Sequence, residues 1–428
     1  MTWKKPKDMN ARDACKQAQR IADDFEQKLK QGFEIDPSIT FSAFTTKWQS
    51  EYAAKQHRHT TIVREEKLLE RINSHLGTIR LYKITAGDIR NCLSEIAANR
   101  QDKKCVCKTD LSKMLRSRNI KKATFVKEAQ IAYSTFAKVL RGEAVSMNTI
   151  AKISRILNLE ETKDYELVSG GGKYSGKTIL HYYRLISKIL TDAVRWEYIL
   201  NNPCLRVEPP KVRKKRVDYL DDKQTKQFVS ALKNAKDPYR TAVLLLLHLG
   251  CRRGELLGLQ WDDIDLTDNT VDISKALLYT PERGVYMDET KTDESIRRLA
   301  IHPTVSCALK EYKAWQGEQR ELAGDQWQDT NFVFTKWNGT PVRPDTFTSW
   351  VRRFVEKNNL PKITPKGLRH TSATLLIMNG LNVRSLANRL GHAKTSTTTD
   401  IYSHALKSMD EIAANILENA INQGFADD

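Results

Sequence analysis

The chain has 428 residues and 40% hydrophobic content, enough for two or more globular domains with buried cores. Lysine and arginine outnumber aspartate and glutamate by 70 to 52, and the formal net charge of +18 favours a polyanionic partner, although a basic enzyme with a solvated lysine surface is the plainer alternative. No uninterrupted run of about 18 apolar residues occurs, so no secretion or membrane span is indicated. The scattered cysteines lack a disulfide or zinc spacing, which indicates reduced thiols in a cytoplasm.

The first part of the chain is predicted to be a series of helices. Apolar residues recur at helical spacing from Ala11 to Lys30, which predicts an arm or a coiled segment. Three more helical patterns follow, at Phe41–Tyr52, Thr60–His75 and Thr85–Ala97. One long helix is predicted from Ser175 to the Asn-Asn-Pro break that ends at Pro203.

A segment from Asp102 to Ser169 has its own apolar periodicity, which predicts a compact unit of about four or five helices. Within it, the stretch FVKEAQIAYSTFAKVLRG at Phe125–Gly142 resembles the helix-turn-helix of phage-repressor-like domains, whose second helix lies in the major groove. The resemblance implies five side chains that face DNA: Tyr133, Ser134, Thr135, Lys138 and Arg141. Gln130 stands where those domains usually have a turn glycine, which leaves the turn geometry open. The alternative is a helical insert that only packs or makes protein contacts.

The basic run PPKVRKKR at Pro209–Arg216 predicts an extended, solvated linker. Beyond it, helices are predicted at Asp221–Lys233 and Pro238–Gly250. Three β-like runs suggest a small three-stranded sheet, at Thr270–Tyr279, Val285–Glu289 and Arg297–His302. The remainder is predicted to be mostly helical, so the expected fold is mainly α with a small antiparallel sheet.

Three short motifs in this last region carry chemistry. The sequence LGCRRGEL at Leu249–Leu256 follows a buried helix and presents Arg252 at its end. The sequence TPKGLRHT at Thr364–Thr371 contains Lys366 and Arg369, and Leu-Gly-His at Leu390–His392 precedes Tyr402. In this order the motifs resemble the tyrosine recombinase (phage integrase) family, of the phage or conjugative-transposon type. The resemblance covers roughly Thr40 to His404, except for the inserted segment.

The resemblance implies a site-specific recombinase that cuts and rejoins DNA for integration or excision of a mobile element. Tyr402 would attack a DNA phosphodiester and form a 3′-phosphotyrosine, with no metal, ATP or other cofactor. Arg252 and Arg369 would stabilise the extra negative charge on the phosphoryl oxygens, because guanidinium groups donate paired hydrogen bonds and stay charged. His392 would hydrogen-bond the scissile phosphate, although a structural histidine is its simpler interpretation.

The general acid is assigned by resemblance to Lys291, in the predicted β-turn sequence Thr-Lys-Thr, where it would protonate the leaving 5′-oxygen. Lysine flanked by threonines is commonplace, so Lys275 and Lys336 are alternatives. The main departure from the family is Lys366, which stands where a histidine is usual, and type IB topoisomerases also place lysine there. His370 is expected to pack or orient, and Glu255 to orient or cap.

The resemblance and the sequence breaks together divide the chain into seven segments. They are an N-terminal helical segment (1–38), the first part of a core-binding domain (39–101), the inserted helix-turn-helix-like domain (102–169), the second part of the core-binding domain (170–208), a basic linker (209–217), the catalytic domain (218–404) and a C-terminal helical tail (405–428). The tail could dock on a neighbouring protomer or pack on its own domain.

The family also implies an assembly, namely a C-shaped clamp on double-stranded DNA that acts as a homotetramer in the bacterial cytoplasm, associated with the nucleoid. A directionality factor (excisionase) and a host DNA-bending protein are possible partners, and no membrane is involved. Two alternatives remain open at this point. One is a type IB topoisomerase-like enzyme that relaxes a single duplex, and the other is a DNA-binding regulator whose active site is degenerate at Lys366.

Overall fold

The structure is a computed structural model that describes residues 10–30, 38–98, 104–160, 163–169, 174–212, 218–289 and 296–402, together with 414, 417 and 418. The chain divides into two units, Met1–Lys214 and Lys215–Asp428. Helices dominate both units and the sheets are small and antiparallel, which confirms the predicted fold class. In the parts of the chain described, no helix has both the length and the apolar character needed to cross a bilayer.

Helices also make up most of the described part of the first unit outside the insert, and all but one of them lie near the predicted positions. They are α1 (Ala11–Lys30), α2 (Phe41–Trp48), α3 (Ala54–Gln56), α4 (His59–Leu76), α5 (Ala86–Ala98) and α10 (Gly176–Arg195), with a π-helical turn at Gln49–Ala53. Hydroxyl side chains start two of them, because Thr40 caps α2 and Ser175 caps α10 through backbone N–H groups. The apolar faces of α2, α4, α5 and α10 share one buried core.

A buried polar contact joins the two ends of this core. The indole Nε1 of Trp48 donates to Oδ2 of Asp192 at 2.8 Å, and both side chains are buried. Lys188 donates to the other carboxylate oxygen at 2.9 Å, so the Asp192 charge is paired as well as hydrogen-bonded. This contact fixes α2 against α10 across a large separation in sequence.

The long helix predicted to run up to the Asn-Asn-Pro break ends earlier than expected. The helix α10 stops at Arg195, and Glu197 takes a left-handed backbone conformation with φ of 65°. A left-handed residue cannot continue a right-handed helix, so the chain turns here. Asn202 then caps a short 3-10 helix at Pro203–Arg206 through the N–H of Cys204.

The insert is a separate unit with its own core, and it contains strands as well as helices. Its four helices are α6 (Leu111–Ser117), α7 (Lys122–Glu128), α8 (Tyr133–Leu140) and α9 (Met147–Leu157). A three-stranded sheet in the order β2-β1-β3 was not predicted, and its strands are β1 (Lys104–Cys107), β2 (Val145–Ser146) and β3 (Tyr165–Ser169). Strands this short carry too little alternation to be recognised in a sequence. The four helices agree with the predicted four or five, whereas the sheet was missed.

The turn between α7 and α8 forms despite the missing glycine. Gln130 adopts φ of 48°, a left-handed conformation that is unfavourable for a residue with a Cβ atom. Its carbonyl accepts a hydrogen bond from Nζ of Lys152 at 3.2 Å, and Phe125 of α7 packs on Phe136 of α8 with ring centroids 5.2 Å apart. These contacts hold the turn in the helix-turn-helix geometry that the sequence left open.

The second unit is built around one large apolar core and a smaller one near its C-terminus. Its helices are α11 (Asp222–Leu232), α12 (Tyr239–Leu249), α13 (Arg253–Leu257), α14 (Pro303–Ala323), α15 (Pro344–Lys357), α16 (Pro365–Met378) and α17 (Val383–Leu390), followed by helical residues 395–402. Proline occupies the first position of α14, α15 and α16, where its missing N–H costs no helical hydrogen bond.

The strands of this unit pair differently from the prediction. The expected single strand at Thr270–Tyr279 is broken at Ser274 into two pieces. The first piece, β5 (Thr270–Ile273), lies between β4 (Ile264–Asp265) and β8 (Arg297–Ala300), while β6 (Lys275–Thr280) forms a separate hairpin with β7 (Gly284–Glu289). Both edges of β5 are already occupied, so β6 and β7 do not pair with it.

Three expectations fall outside the described residues. They concern Lys291, residues 213–217 of the basic linker, and nearly all of the tail after Tyr402.

Replacing Gln130 with glycine should stabilise the insert, because glycine adopts positive φ without a Cβ clash. We expect the free energy of local opening to rise by about 1 kcal/mol. This free energy is measured by native-state hydrogen exchange of the α7 and α8 amides in the full chain. Gln130→Ala keeps the Cβ atom and should show no rise. An equal effect of both substitutions would contradict the explanation.

Candidate active site

Arg252 is placed by a helix that ends abruptly. Gly250 closes α12 in a left-handed conformation with φ of 61°, and Arg252 then caps the short helix α13. A Cβ atom on Gly250 would lie 3.1 Å from both Leu390 and Ser372, so the packing as well as the backbone favours glycine. The Leu-Gly-Cys-Arg sequence thus turns the chain and leaves the Arg252 side chain 47% exposed.

Glu255 holds Arg252 in position. Its carboxylate accepts from Nη1 of Arg252 at 2.7 Å and from the Arg252 backbone N–H at 3.0 Å. It also accepts from Nη2 of Arg297 at 2.8 Å. Burial works to raise the pKa of this carboxyl, but the charge of Arg297 and the three hydrogen bonds outweigh burial and keep the pKa below its ordinary value. Glu255 therefore orients and caps, in agreement with the expectation from the sequence.

Arg369 is the buried member of the site. Its guanidinium donates from Nη1 to the carbonyl of Gly250 and from Nη2 to the carbonyl of Leu390, both at 2.9 Å. Burial and the nearby charge of Arg252 lower the pKa of Arg369 to about 10, so the group stays charged at neutral pH. The two carbonyls end the helices α12 and α17, and Arg369 joins these ends.

The C-terminal end of α17 receives an arginine at each of three successive carbonyls. They are the carbonyls of Arg389, Leu390 and Gly391, which accept from Arg297 Nε at 2.7 Å, Arg369 Nη2 at 2.9 Å and Arg252 Nη2 at 3.0 Å. The last carbonyls of a helix lack intrahelical partners and carry partial negative charge, so they suit cationic donors. The helix end gathers three guanidinium groups into one cluster.

His392 follows directly and is fixed by two hydrogen bonds. Gly391 takes φ of 66° at the end of α17, which turns His392 back toward Arg369. Nε2 of His392 accepts from Arg369 Nη2 at 2.8 Å, so Nδ1 carries the proton and donates to Thr398 Oγ1 at 2.8 Å. Burial and then the Arg369 and Arg252 charges lower the pKa of His392 to about 4. The imidazole is neutral at physiological pH.

Tyr402 lies in an apolar pocket and faces a histidine. The side chain is fully buried among Ala373, Ile377 and Leu386, with 0% of its surface exposed. Its phenol oxygen is 2.8 Å from Nδ1 of His370, and the two rings meet edge to face. Burial raises the pKa of the phenol to about 12, although the Arg369 charge opposes that effect.

The structure brings together three of the six predicted catalytic residues at the end of α17, while Tyr402 lies in its own pocket. Arg252 and Arg369 meet at the end of α17, and His392 bonds directly to Arg369. Lys366 lies three residues before Arg369 on α16, is exposed, and makes no side-chain hydrogen bond or ion pair with any residue described. Lys291 lies in the undescribed segment 290–295.

The five residues predicted to face DNA lie along α8 and at its end. Tyr133 is 60% exposed, Ser134 and Lys138 are exposed, and Thr135 is half-buried. Arg141 is exposed and pairs with Glu143 at 2.6 Å. The side chains that pack inward, Phe136 and Val139, alternate with this polar face at helical spacing.

Arg297 is the residue that sequence reasoning missed. Its side chain is only 7% exposed, whereas that of its neighbour Arg298 is 69% exposed and pairs with Asp272. Strand alternation separates the two arginines onto opposite faces of β8. The Arg-Arg pair at the start of a β-like run was the available signal, but the sequence could not show which arginine points inward. In the described part of the chain, no group of three or more His, Cys, Asp or Glu side chains could hold a metal ion.

Comparisons with known proteins identify two domain types in the chain. The profile of the phage integrase family matches residues 218–409, and that of the Cro/C1-type HTH DNA-binding domain matches residues 110–162. The ICEBs1 integrase of Bacillus subtilis (strain 168) is 28% identical over 247 residues, 58% of this chain and 67% of the relative. The transposase from transposon Tn916 of Enterococcus faecalis is 24% identical over 309 residues, 70% of this chain and 75% of the relative.

A solved structure shares the fold. The Tn1549 transposon integrase in complex with a circular intermediate DNA matches with a TM-score of 0.59 and 19% identity, over 88% of this chain and 100% of that one. Residues 218–409 are thus a catalytic domain of the phage integrase type. Over the rest of its length, the chain is similar to tyrosine recombinases, among them integrases and transposases of mobile elements.

The His392 imidazole should stay neutral throughout the physiological range, because burial and three neighbouring guanidinium charges oppose its protonation. We expect a titration midpoint near pH 4 by ¹⁵N NMR of the imidazole in the DNA-free protein. Arg252→Gln removes one of the three charges and leaves the two hydrogen bonds of the imidazole in place, so it should raise the midpoint. A wild-type midpoint near 6.5 would contradict this electrostatic account.

Proposed function

We propose that the protein cuts and rejoins double-stranded DNA at specific sites, using Tyr402 as the nucleophile, to integrate or excise a mobile element. The observation that carries the proposal is the single hydrogen-bonded network of Arg252, Arg369 and His392 at the end of α17. A phosphodiester that gains charge during attack needs clustered, permanently charged donors. The solved Tn1549 integrase complexes, which contain transposon DNA, support the same partner for this chain.

The reaction conserves the phosphodiester bond energy. The phenol oxygen of Tyr402 attacks the phosphorus, the bond from phosphorus to the 5′-oxygen breaks, and a 3′-phosphotyrosine and a free 5′-hydroxyl result. Attack by a 5′-hydroxyl on the phosphotyrosine reverses the step and releases the tyrosine. We assign the proton for the leaving 5′-oxygen to Lys291 and an additional phosphate contact to the exposed Lys366. No metal, nucleotide or other cofactor takes part in this scheme.

The arginines supply the electrostatic stabilisation. Arg252 uses two of its five N–H groups, one on Glu255 and one on Gly391, which leaves three for phosphoryl oxygens. Removing one preorganised donor from such a site typically slows the chemical step by about 10² to 10³. Nε2 of His392 already accepts from Arg369, so a phosphate contact by the imidazole requires that this hydrogen bond break and that Nε2 take up the proton.

Tyr402 has to leave its pocket before it can react, because a fully buried phenol cannot reach a phosphate. Breaking the hydrogen bond to His370 would expose the hydroxyl and relieve the burial that raises its pKa. In the pocket, His370 Nδ1 is placed to accept the phenolic proton or to orient it. In the proposed mechanism, the phosphate site is therefore formed before DNA binds, whereas the nucleophile is still buried.

The insert is proposed as a second DNA-reading element. Its α8 presents Tyr133, Ser134 and Lys138 to solvent in the position of a recognition helix, with Thr135 and Arg141 beside them. Residues 104–169 carry thirteen lysines and arginines against seven acidic residues, which suits a phosphate backbone. Together with the core-binding segments 39–101 and 170–208, it would extend the DNA contacts beyond the catalytic domain at 218–404.

The assembly is proposed to be a homotetramer on two DNA duplexes, because two pairs of strands must be exchanged and each cut needs one tyrosine. The tail at 405–428 would couple protomers or pack on its own domain. Direction would be set by an excisionase-type directionality factor and a host DNA-bending protein, in the bacterial cytoplasm at the nucleoid.

Covalent trapping tests the central proposal. On a nicked suicide duplex that carries the end sequence of the element, the wild-type protein should give a covalent protein–DNA band, because the released strand cannot be rejoined. Tyr402→Phe should bind the same duplex and give no band. Binding without trapping by the wild type would sink the proposal unless Lys366→His restored the band, which would identify a weakened active site.

DNA reading by the insert is tested separately. Ser134→Ala combined with Lys138→Ala should weaken binding to the end-sequence duplex about 10-fold and reduce the salt dependence by about one phosphate contact. Lys163→Ala serves as the matched control, because that lysine is 75% exposed and lies outside the helix-turn-helix. Equal affinities for all three proteins would leave the insert with a packing role.

A further inference from the structure

Arg297 is buried in the same network as the candidate catalytic residues, although it does not reach the surface of the site. The side chain is 7% exposed, compared with 47% for Arg252. It lies at the start of β8, on a different element from either of the groups that it contacts. A guanidinium desolvated to this degree is costly unless its hydrogen bonds are well placed. Two of its contacts, one with a carboxylate and one with a helix end, indicate what it is there to hold.

The first contact balances a charge. Glu255 is 3% exposed and carries a full negative charge next to Arg252. With Arg252 as its sole partner, the carboxylate would cancel the charge that a phosphate needs. The Nη2 group of Arg297, 2.8 Å from Glu255 Oε2, supplies the second positive charge. The three side chains then carry a net charge of +1, and their exposed member is Arg252.

The second contact ties this triad to the other half of the site. Nε of Arg297 donates to the carbonyl of Arg389 at 2.7 Å, two residues before the glycine that turns His392. The same guanidinium fork thus touches the carboxylate that orients Arg252 and the helix end that positions His392. Lysine has one ammonium and could not span both acceptors with the same planar geometry.

We infer that Arg297 is a positioning residue for strand cleavage. It neutralises Glu255, so that Arg252 keeps its charge for the DNA phosphate, and it fixes the end of α17 next to His392. The inference rests on the proposed function. It assigns Arg297 no contact with DNA. The inference therefore predicts different effects on DNA binding and on cleavage, since loss of Arg297 should slow cleavage while the duplex is still bound.

Single-turnover cleavage of the suicide duplex, with the protein in excess, tests the inference. Arg297→Met should lower the cleavage rate by about 10- to 100-fold, the usual range for a residue that orients a reacting group. DNA affinity should change less than about 3-fold. Arg297→Lys keeps the charge and should fall between the wild type and the methionine variant. Arg298→Met is the matched control, because Arg298 is the exposed neighbour on the same strand and should leave the rate unchanged.

A double variant distinguishes charge balance from packing. Glu255→Gln combined with Arg297→Met removes the carboxylate together with its counter-ion, so Arg252 regains an unopposed charge. We expect this protein to cleave at least about 5-fold faster than Arg297→Met alone, a non-additive effect typical of directly contacting residues. No recovery, or equal rates for the lysine and methionine variants, would overturn the charge-balancing role. Wild-type rates for Arg297→Met would overturn the inference as a whole.

The outcomes are separable from failure of the proposed function. If the wild type forms no covalent complex, the recombinase proposal itself fails before any variant is compared. If Arg297→Met is poorly folded, Arg297→Lys retains the buried charge and carries the comparison, with thermal unfolding and DNA affinity as checks.

Discussion

Mutual repulsion between guanidinium groups is the constraint on which the catalytic unit depends. Arg252, Arg297, Arg369 and Arg389 lie close together, and the carboxylate of Glu255 is bonded to two of them, Arg252 and Arg297. Without DNA, such a cluster would repel itself. The carbonyls at the ends of α12 and α17 relieve the repulsion, because the C-terminal end of a helix presents unpaired acceptors with partial negative charge. A phosphate site can thus exist before its ligand arrives, held by backbone groups that cannot titrate.

The same arrangement explains why the glycines in two of the motifs adjoin the functional side chains. Gly250 and Gly391 both close helices in left-handed conformations, and the residues that follow them turn toward the cluster. Each helix end then offers its last carbonyls to the arginines. The proposed phosphate site is therefore formed at two helix ends, those of α12 and α17. Tyr402 does not belong to these helix ends. It lies in a separate apolar pocket, where its hydroxyl is hydrogen-bonded to His370.

Short local motifs made much of the candidate site predictable. A glycine after an apolar run predicts where a helix ends, so Arg252 and His392 could be located on turns without knowledge of tertiary contacts. Arg297 could not, because its burial depends on which face of β8 meets α13 and α17. The end of α10 and the separation of β5 from β6 were missed for a similar reason: a left-handed Glu197 and the pairing of strands distant in sequence leave little trace in local periodicity. The buried contact between Trp48 and Asp192 is likewise not predictable from local periodicity, because the two residues are distant in sequence.

The two ends of the insert lie next to each other, as do the two ends of the host region that it interrupts. The strands β1 and β3 pair antiparallel with Lys104 opposite Ser169, so the chain enters and leaves the insert at adjacent positions. On the host side, the backbone N–H of Tyr174 donates to the carbonyl of Ala97 at 3.3 Å, which brings the two ends of the interrupted helical region together. A domain whose ends meet adds little loop-closure entropy to its host. The helices α5 and α10 therefore share one core on either side of the insertion, and a separate apolar core supports the inserted helix-turn-helix.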